Sequence, residues 1–147
     1  MGERRPSGVR LVVSLYREFE QVARRGDLSL AQYRTLLYLM GGARRAGELA
    51  AANAVTKPTV SAMINGLRQQ GWVTEAVDPD GRVTKIVLTA EGRDRVRRFE
   101  AELEARLEEL VPGVERDELR RVFDELYAAH ATTREQRLAN VFGRSKG

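Results

Sequence analysis

Small polar side chains between residues 56 and 69 have the types and spacing for contacts with a polyanion. They are Thr56, Lys57, Thr59, Ser61, Asn65 and Arg68. Hydroxyl, amide and basic groups of this size form hydrogen bonds with phosphate oxygens and with base edges. Val60, Ile64 and Leu67 recur at helical spacing on the opposite side. Thr56 can cap such a helix, with Pro58 in its first turn.

The segment TEAVDPDGRVTKIVLT, residues 74–89, places one arginine at the end of a predicted hairpin. Its two halves have the alternation and β-branched content of antiparallel strands. The residues DPDG between them suit a connection of about three to five residues, so Arg82 projects from the tip. We expect Asp78 and Asp80 to accept turn N–H bonds or to orient a nearby arginine, while Lys85 adds a basic group on the second strand.

Apolar periodicity predicts the elements that position these two groups. Helices are expected at 9–24, 30–40, 46–53, 57–69 and 90–110, and a last helix follows the VPG break at 111–113. The last helix has apolar residues from Leu119 to Tyr127 and a weaker tail through Leu138, Val141 and Phe142. The predicted fold class is therefore mainly α with a small β-hairpin wing.

The chain is expected to fold as one unit with three parts. An N-terminal helix at 1–28 and long C-terminal helices at 96–147 flank a compact middle at 29–95. Long helices whose apolar seam has little chain left to cover it usually bury that seam against a partner. A symmetric homodimer formed by the first and last helices is the predicted arrangement.

Composition excludes several classes of protein. Of 147 residues, 42% are hydrophobic and 31% charged, and no apolar run has the length of a membrane span or the form of a secretion signal. We therefore expect a soluble cytoplasmic protein. There is no cysteine, and the one histidine, His130, is expected at a partly exposed position on the terminal helix. Without a phosphate loop, a metal-spaced cluster or a catalytic set, neither an enzyme nor a metal or other cofactor is expected.

Two short helices joined by a short turn and followed at once by a hairpin are typical of a winged helix-turn-helix. A helix fits the major groove of B-DNA, so the polar face at 57–69 can approach base edges and phosphates there. An arginine at the wing tip can reach the adjacent minor groove, where a narrow groove concentrates negative potential. The sequence thus predicts double-stranded DNA as partner, with Arg82 in the minor groove.

Four segments within residues 28–96 resemble the MarR-type transcriptional regulators. They are LSLAQYRTLLYL, AGELAAANAVTKPTVSAMINGLRQQGWV, DPDGR and VLTAEGRD. KPTVSAMINGL is similar to the family's recognition helix, DPDGR to its wing tip and LTAEG to the entry into its long fifth helix. The resemblance implies a homodimer that binds a pseudopalindromic operator, usually as a repressor. It also implies release of DNA when a small phenolic or acidic ligand binds between the dimerisation and DNA-binding regions.

Aromatic residues on the first two helices are the predicted ligand pocket. They are Tyr16, Phe19, Tyr33 and Tyr38. A tyrosine offers an apolar wall with a polar group at its end, which suits a small aromatic or acidic ligand. Ordinary core packing is the alternative interpretation of these four residues.

Some positions depart from the family's pattern and support a second hypothesis. Ala62 and Gly66 stand where the family often has basic residues, and Gly81 stands where an aspartate often precedes the wing arginine. A protein with fewer basic residues facing the phosphates releases fewer counterions when it binds, and its affinity for DNA is lower. The alternative function is therefore a winged-helix protein-interaction module with weak or absent DNA binding.

Two further groups of arginines are interpreted as solvated. The run GRDRVRRFE carries Arg93, Arg95, Arg97 and Arg98 on the long fifth helix, and a charge run of this kind is most often an exposed face. Arg4 and Arg5 precede the first helix. Disorder is expected for that N-terminal arm, and contact with DNA is the alternative.

Overall fold

The computed structural model describes residues 7–143, with their side chains except at 132, 134–136 and 138–143. The elements of this part are α1 (Gly8–Arg25), α2 (Leu30–Met40), α3 (Ala46–Asn53), α4 (Lys57–Gln69), β1 (Val73–Val77), β2 (Thr84–Leu88), α5 (Ala90–Leu110) and α6 (Arg116–Gly143). The predicted fold class is confirmed. Arg4 and Arg5, and the side chains of Leu138, Val141 and Phe142, lie outside the described residues. Within 7–143 no helix is both long and apolar enough to cross a membrane.

Side-chain caps set the start of three helices. The Oγ atom of Ser29 accepts the N–H of Gln32, and the Gln32 side chain accepts the N–H of Ser29, which is a complete capping box at α2. Thr56 accepts the N–H of Thr59 at the start of α4, and Thr89 caps α5 in the same way. These caps satisfy N–H groups that the first turn of a helix leaves without partners.

The hairpin and the short helices share one core with α5. β1 and β2 pair antiparallel, with Val73 opposite Leu88, and a bridge from Arg44 to Ile86 ties the loop before α3 to the hairpin. Fully or almost fully buried members of this core are Leu28, Leu36, Leu39, Leu49, Val60, Ile64, Leu67, Trp72, Val73, Ile86, Val96 and Phe99. Because α4 contributes Val60, Ile64 and Leu67 to it, the orientation of α4 is fixed by packing.

The start of α5 lies against the base of the hairpin. A Cβ atom on Gly92 would overlap the carbonyl oxygen of Trp72 and lie 2.7 Å from Cδ1 of Leu88. The Oγ1 atom of Thr89 donates to the Gly71 carbonyl at 2.7 Å, and the Thr89 N–H donates to Trp72 O at 3.0 Å. The LTAEG segment therefore joins α5 to the winged part without room for a side chain at Gly92.

α1 and α6 keep large apolar side chains exposed. These are Val9, Leu11, Val12, Val13 and Tyr16 on α1, and Val122, Phe123, Leu126 and Tyr127 on α6. Arg106 of α5 holds α1 through Glu18, with Nη2 and the carboxylate oxygen 2.6 Å apart. The hydrogen bonds that Arg106 donates to the carboxylate of Glu18 and, with a smaller effect, to that of Glu109 raise the pKa of Arg106 above its ordinary value. One chain thus fixes α1 on α5 but leaves the outer apolar faces of α1 and α6 in contact with solvent.

Candidate nucleic-acid interface and ligand cleft

The solvent side of α4 and its cap carry the predicted polar set. Thr56, Lys57, Thr59, Ser61, Asn65 and Arg68 are all exposed or half-exposed. Their side chains differ in what holds them. Lys57 and Ser61 make no side-chain hydrogen bond or ion pair with other described residues, whereas the hydroxyls of Thr56 and Thr59 lie 2.8 Å apart. On this polar surface Lys57 and Ser61 contact only solvent, whereas Thr56 and Thr59 stabilise the start of α4.

Arg68 is tied to the wing. Its Nη1 atom donates to Oδ1 of Asn65 at 2.9 Å, and its Nη2 atom forms an ion pair with Glu75 of β1. The two predicted DNA contacts Asn65 and Arg68 thus bind each other. Since Glu75 offsets the charge of Arg68, this arginine contributes less positive potential to the surface than its exposure indicates.

The wing tip has the turn chemistry that its sequence predicts. Gly81 adopts φ +73°, a left-handed conformation that favours glycine, and its N–H donates to the Asp78 carbonyl at 2.7 Å. Oδ1 of Asp80 accepts the N–H of Arg82 at 3.2 Å. The carboxylate of Asp78 pairs with Nζ of Lys85 at 3.0 Å, so it supports a lysine and not an arginine.

Arg82 projects from this turn into solvent. Its guanidinium makes no ion pair or hydrogen bond with any described side chain, in contrast to Arg68 and Lys85. The wing therefore presents one unneutralised cation, fixed at its backbone by Asp80. An arginine without an ion-pair partner can place its charge in a narrow minor groove without first breaking a bond within the chain.

Two of the positions that depart from the family's pattern, Ala62 and Gly66, have room for a larger side chain. Ala62 is exposed, and a Cβ atom on Gly66 would meet only Nε2 of Gln32, at 3.9 Å. Contacts within the described chain therefore do not require glycine at 66.

Arg95 corrects the interpretation of the arginine run on α5. Its side chain is 6% exposed, although Arg93, Arg97 and Arg98 are on the exposed face as predicted. Nε and Nη2 of Arg95 lie 2.8 Å and 2.7 Å from Oδ1 of Asp27 in the α1–α2 loop. A residue buried this far needs such a partner, because an unpaired charge loses its hydration.

Two aromatic rings complete the surroundings of Arg95. Its guanidinium carbon lies 5.9 Å from the ring centre of Trp72 and 5.5 Å from that of Phe99, while Glu102 lies 3.3 Å from Nη1. Arg95 thus joins the α1–α2 loop, the base of the wing and α5. The charge run alone does not predict the burial of Arg95; the signal in the sequence is its four-residue spacing from Phe99 on the apolar seam.

A cleft of about 600 Å³ opens between α1, α2, α5 and α6. Its lining residues are Phe19, Tyr33, Glu100, Leu103, Glu104, Leu107, Glu108, Arg116, Leu119, Arg120, Phe123, Asp124 and Tyr127. Of the four predicted pocket residues, the structure brings Phe19 and Tyr33 together here. Tyr16 and Tyr38 are not among the residues that line this cleft.

The positions of Tyr16 and Tyr38 on their helices place both side chains away from this cleft. Tyr16 lies one turn before Phe19 on the exposed N-terminal half of α1. Tyr38 is five residues beyond Tyr33 and so faces another side of α2, where its hydroxyl donates to the Ala52 carbonyl of α3 at 3.0 Å. His130 is exposed on α6 and does not line the cleft. The described side chains include no group of acidic, histidine or cysteine residues arranged to hold a metal ion.

Helices α3 and α4, the hairpin and the flanking helices define a winged helix-turn-helix fold. Residues 26–82 match the sequence profile of the MarR family. The resemblance seen in the sequence is thereby confirmed. No curated protein sequence matches the chain.

Solved structures of MarR-type proteins share the fold. A MarR family protein from Bacillus stearothermophilus is 16% identical, with a TM-score of 0.66 over 84% of this chain and 87% of that one. A variant of S. aureus MepR bound to an oligodeoxyribonucleotide is 23% identical, with a TM-score of 0.64 over 89% and 99%. CouR from Rhodococcus jostii, bound to p-coumaroyl-CoA, is 18% identical, with a TM-score of 0.56 over 82% and 87%. The chain therefore has the fold of these MarR-type proteins.

Proposed function

We propose that the protein is a homodimeric, sequence-specific DNA-binding transcriptional regulator, a repressor that a small ligand releases from its operator. The observation that carries this proposal is the exposed polar side of α4 next to a wing whose Arg82 guanidinium is unpaired within residues 7–143. The DNA-bound MepR variant, which has the same fold, supports it. Because the proposed partner is chromosomal DNA, the cytoplasm is the proposed location.

The proposed DNA contacts divide between two grooves. We assign the polar residues of α4 and its cap to the major groove; they are Thr56, Lys57, Thr59, Ser61, Asn65 and Arg68. Lys85 is assigned to the DNA phosphate backbone nearby. Arg82 is assigned to the minor groove. Lys57 and Ser61 are free to bond to DNA at once, whereas Arg68 must share its guanidinium with Glu75 or exchange that partner for a phosphate.

The homodimer rests on the exposed apolar faces of α1 and α6. Exposed side chains such as Val12, Leu126 and Tyr127 would leave water if a second copy covered them. In our proposal the segments 1–28 and 96–147 form the dimer and 29–95 binds DNA. Two-fold symmetry then matches a pseudopalindromic operator with half-sites about 34 Å apart.

Regulation in this proposal is thermodynamic linkage. A ligand that favours a dimer with altered spacing between its two α4 helices weakens DNA binding by the same factor by which DNA weakens ligand binding. The cleft between α1, α2, α5 and α6 is the proposed ligand site, since it lies between the flanking helices and α2 of the winged part. CouR, with the same fold, is bound to p-coumaroyl-CoA, which supports ligand binding in this fold.

Fluorescence anisotropy with duplex DNA from the region next to its own gene tests the proposal. Replacing Arg82 with alanine should lower affinity about tenfold or more, because a groove-bound arginine contributes roughly 1–3 kcal/mol per site. Arg97→Ala removes the same charge from an exposed α5 position, where Asp94 pairs with it, and should leave affinity nearly unchanged. Equal affinities of both variants and the parent protein would remove the wing from the mechanism.

A further inference from the structure

The ligand cleft carries more negative than positive charge. Its charged lining residues are Glu100, Glu104, Glu108 and Asp124 against Arg116 and Arg120. We propose that the ligand of this cleft is a hydrophobic organic cation, in contrast to the acidic ligand that the family resemblance implies. The inference rests on the proposed regulatory function and names the class of molecule that its ligand site accepts.

The two arginines do not neutralise the four carboxylates. Arg116 is committed to Glu108, with Nη2 and Oε2 2.6 Å apart. Arg120 approaches Glu104 only to 4.0 Å, the limit of an ion pair. Asp124 has no hydrogen-bond or ion-pair partner among the described residues. The cleft therefore keeps negative charge that a bound cation can offset.

Glu100 is held in place by a neutral group. Its Oε1 atom accepts the hydroxyl hydrogen of Tyr33 at 2.9 Å, and no cation lies within ion-pair distance of it in the described part of the chain. A phenol fixes the carboxylate without cancelling its charge. Glu100 is half-buried, so its field within the cleft is less screened than that of a fully exposed carboxylate.

Aromatic rings form the apolar part of the lining. Phe19 and Tyr33 lie on α1 and α2, and Phe123 and Tyr127 lie one turn apart on α6. The ring faces of phenylalanine and tyrosine attract cations by their negative electrostatic potential. Within one chain these two α6 rings are 39% and 63% exposed, and both line the cleft.

Size and chemistry together define the ligand class. A cleft of about 600 Å³ lies within the usual range for small-molecule sites. Leu103, Leu107 and Leu119 add aliphatic surface between the rings and the carboxylates. A bulky cation with aromatic groups satisfies both features, whereas an anion of the same shape meets repulsion from the unneutralised carboxylates.

Isothermal titration calorimetry with two ions of nearly the same size and shape tests this inference. The cation tetraphenylphosphonium and the anion tetraphenylborate are titrated into the full-length protein without DNA. We expect the cation to bind about tenfold or more tightly than the anion. The double variant Glu104→Gln/Asp124→Asn should weaken cation binding about tenfold, since it removes two lining charges without removing an aromatic contact.

The matched control is Glu91→Gln/Asp117→Asn, which removes one carboxylate each from α5 and α6 outside the cleft. It should bind the cation as the parent protein does. Equal or tighter binding of the anion overturns the inference, as does unchanged cation affinity in Glu104→Gln/Asp124→Asn.

Failure of both ions to bind also overturns the inference. If that double variant then alters the dimer dissociation constant, the cleft is a contact between subunits instead. Because no DNA is present, each of these results leaves the DNA-binding proposal standing, and a failure to bind operator DNA leaves the calorimetric result standing.

Discussion

The proposed DNA-facing surface and the proposed ligand cleft carry unpaired charges of opposite sign. At the wing tip Arg82 is a cation without an ion-pair partner in the described chain, while in the cleft Asp124 is an anion in the same condition. The chain as a whole is nearly balanced, with 25 basic and 21 acidic residues, so its net charge of +4 says little about either region. Local pairing, and not total charge, decides which partner each surface favours.

The first two turns of α5, which include Gly92 and Arg95, join these two regions. Gly92 lets α5 approach the carbonyl of Trp72, and Arg95 reaches from α5 to Asp27 across the ring of Trp72. A ligand in the cleft can change the position of the wing only if this joint transmits movement as a rigid unit. Substitutions at this joint have the largest expected effects on stability.

Gly92→Ala should produce the largest change in stability. The added methyl group would overlap the Trp72 carbonyl, which belongs to the backbone and has little freedom to move away. We expect the free energy of unfolding, measured with urea, to fall by about 3 kcal/mol. Gly47→Ala in α3 is the control, because nothing lies within 4 Å of its Cβ position, and it should be neutral or stabilising. Equal stability of the two variants would show that the joint is not tightly packed.

Arg95→Met should have a smaller effect on the same joint. Methionine retains apolar contact with Trp72 and Phe99 but loses the attraction of a guanidinium to the rings. Asp27 and Glu102 are 58% and 46% exposed, so water can solvate them once the arginine is gone. We therefore expect the free energy of unfolding in urea to fall by only about 1–2 kcal/mol, less than for a fully buried ion pair.

Arg97→Met is the control for Arg95→Met, since Arg97 lies on the exposed side of α5. It should unfold at nearly the same urea concentration as the parent protein. If Arg95→Met also does so, the buried arginine contributes nothing to the joint, and the two regions are connected by the apolar core alone.

Glu75→Gln should have the smallest effect, a modest change in DNA affinity. It tests whether Glu75 reduces the contribution of Arg68 to DNA binding. The change removes the charge that offsets Arg68 while keeping a side chain of the same size. We expect DNA affinity at low salt to rise about two- to fivefold, as an exposed ion pair of this type is weak. Fluorescence anisotropy with the same operator duplex measures it, and Glu115→Gln, outside both regions, is the control. A fall in affinity would mean that Glu75 orients Arg68 for DNA.

Features that depend on neighbouring residues were predictable from the sequence. The predicted bounds of α3 at 46–53 and of α5 at 90–110 agree with the structure, as do the caps at Ser29 and Thr56. Caps, turns and helical periodicity act over a few residues, so one sequence is enough to identify them. The hairpin turn at Gly81 belongs to the same group.

Features that depend on residues distant in the chain could not be predicted from the sequence. The burial of Arg95 depends on Asp27, 68 residues earlier in the chain, and a charge run alone gives no sign of that partner. The acidic lining was missed because aromatic type alone selected the pocket residues. Glu100, Glu104 and Glu108 recur at four-residue spacing along α5, but which face of α5 borders α6 is decided by tertiary packing.

The salt dependence of DNA affinity tests the central claim most directly. If paired protomers apply α4 and the wing to duplex DNA, the logarithm of the association constant should fall linearly with the logarithm of salt concentration. Each phosphate contact should add about −0.9 to that slope. Anisotropy titrations of the full-length protein between low and moderate salt supply this slope, with the mass of the free protein measured in the same buffers. A steep negative slope for a dimer is the predicted result, and a stable monomer or no binding to any duplex at low salt would contradict it.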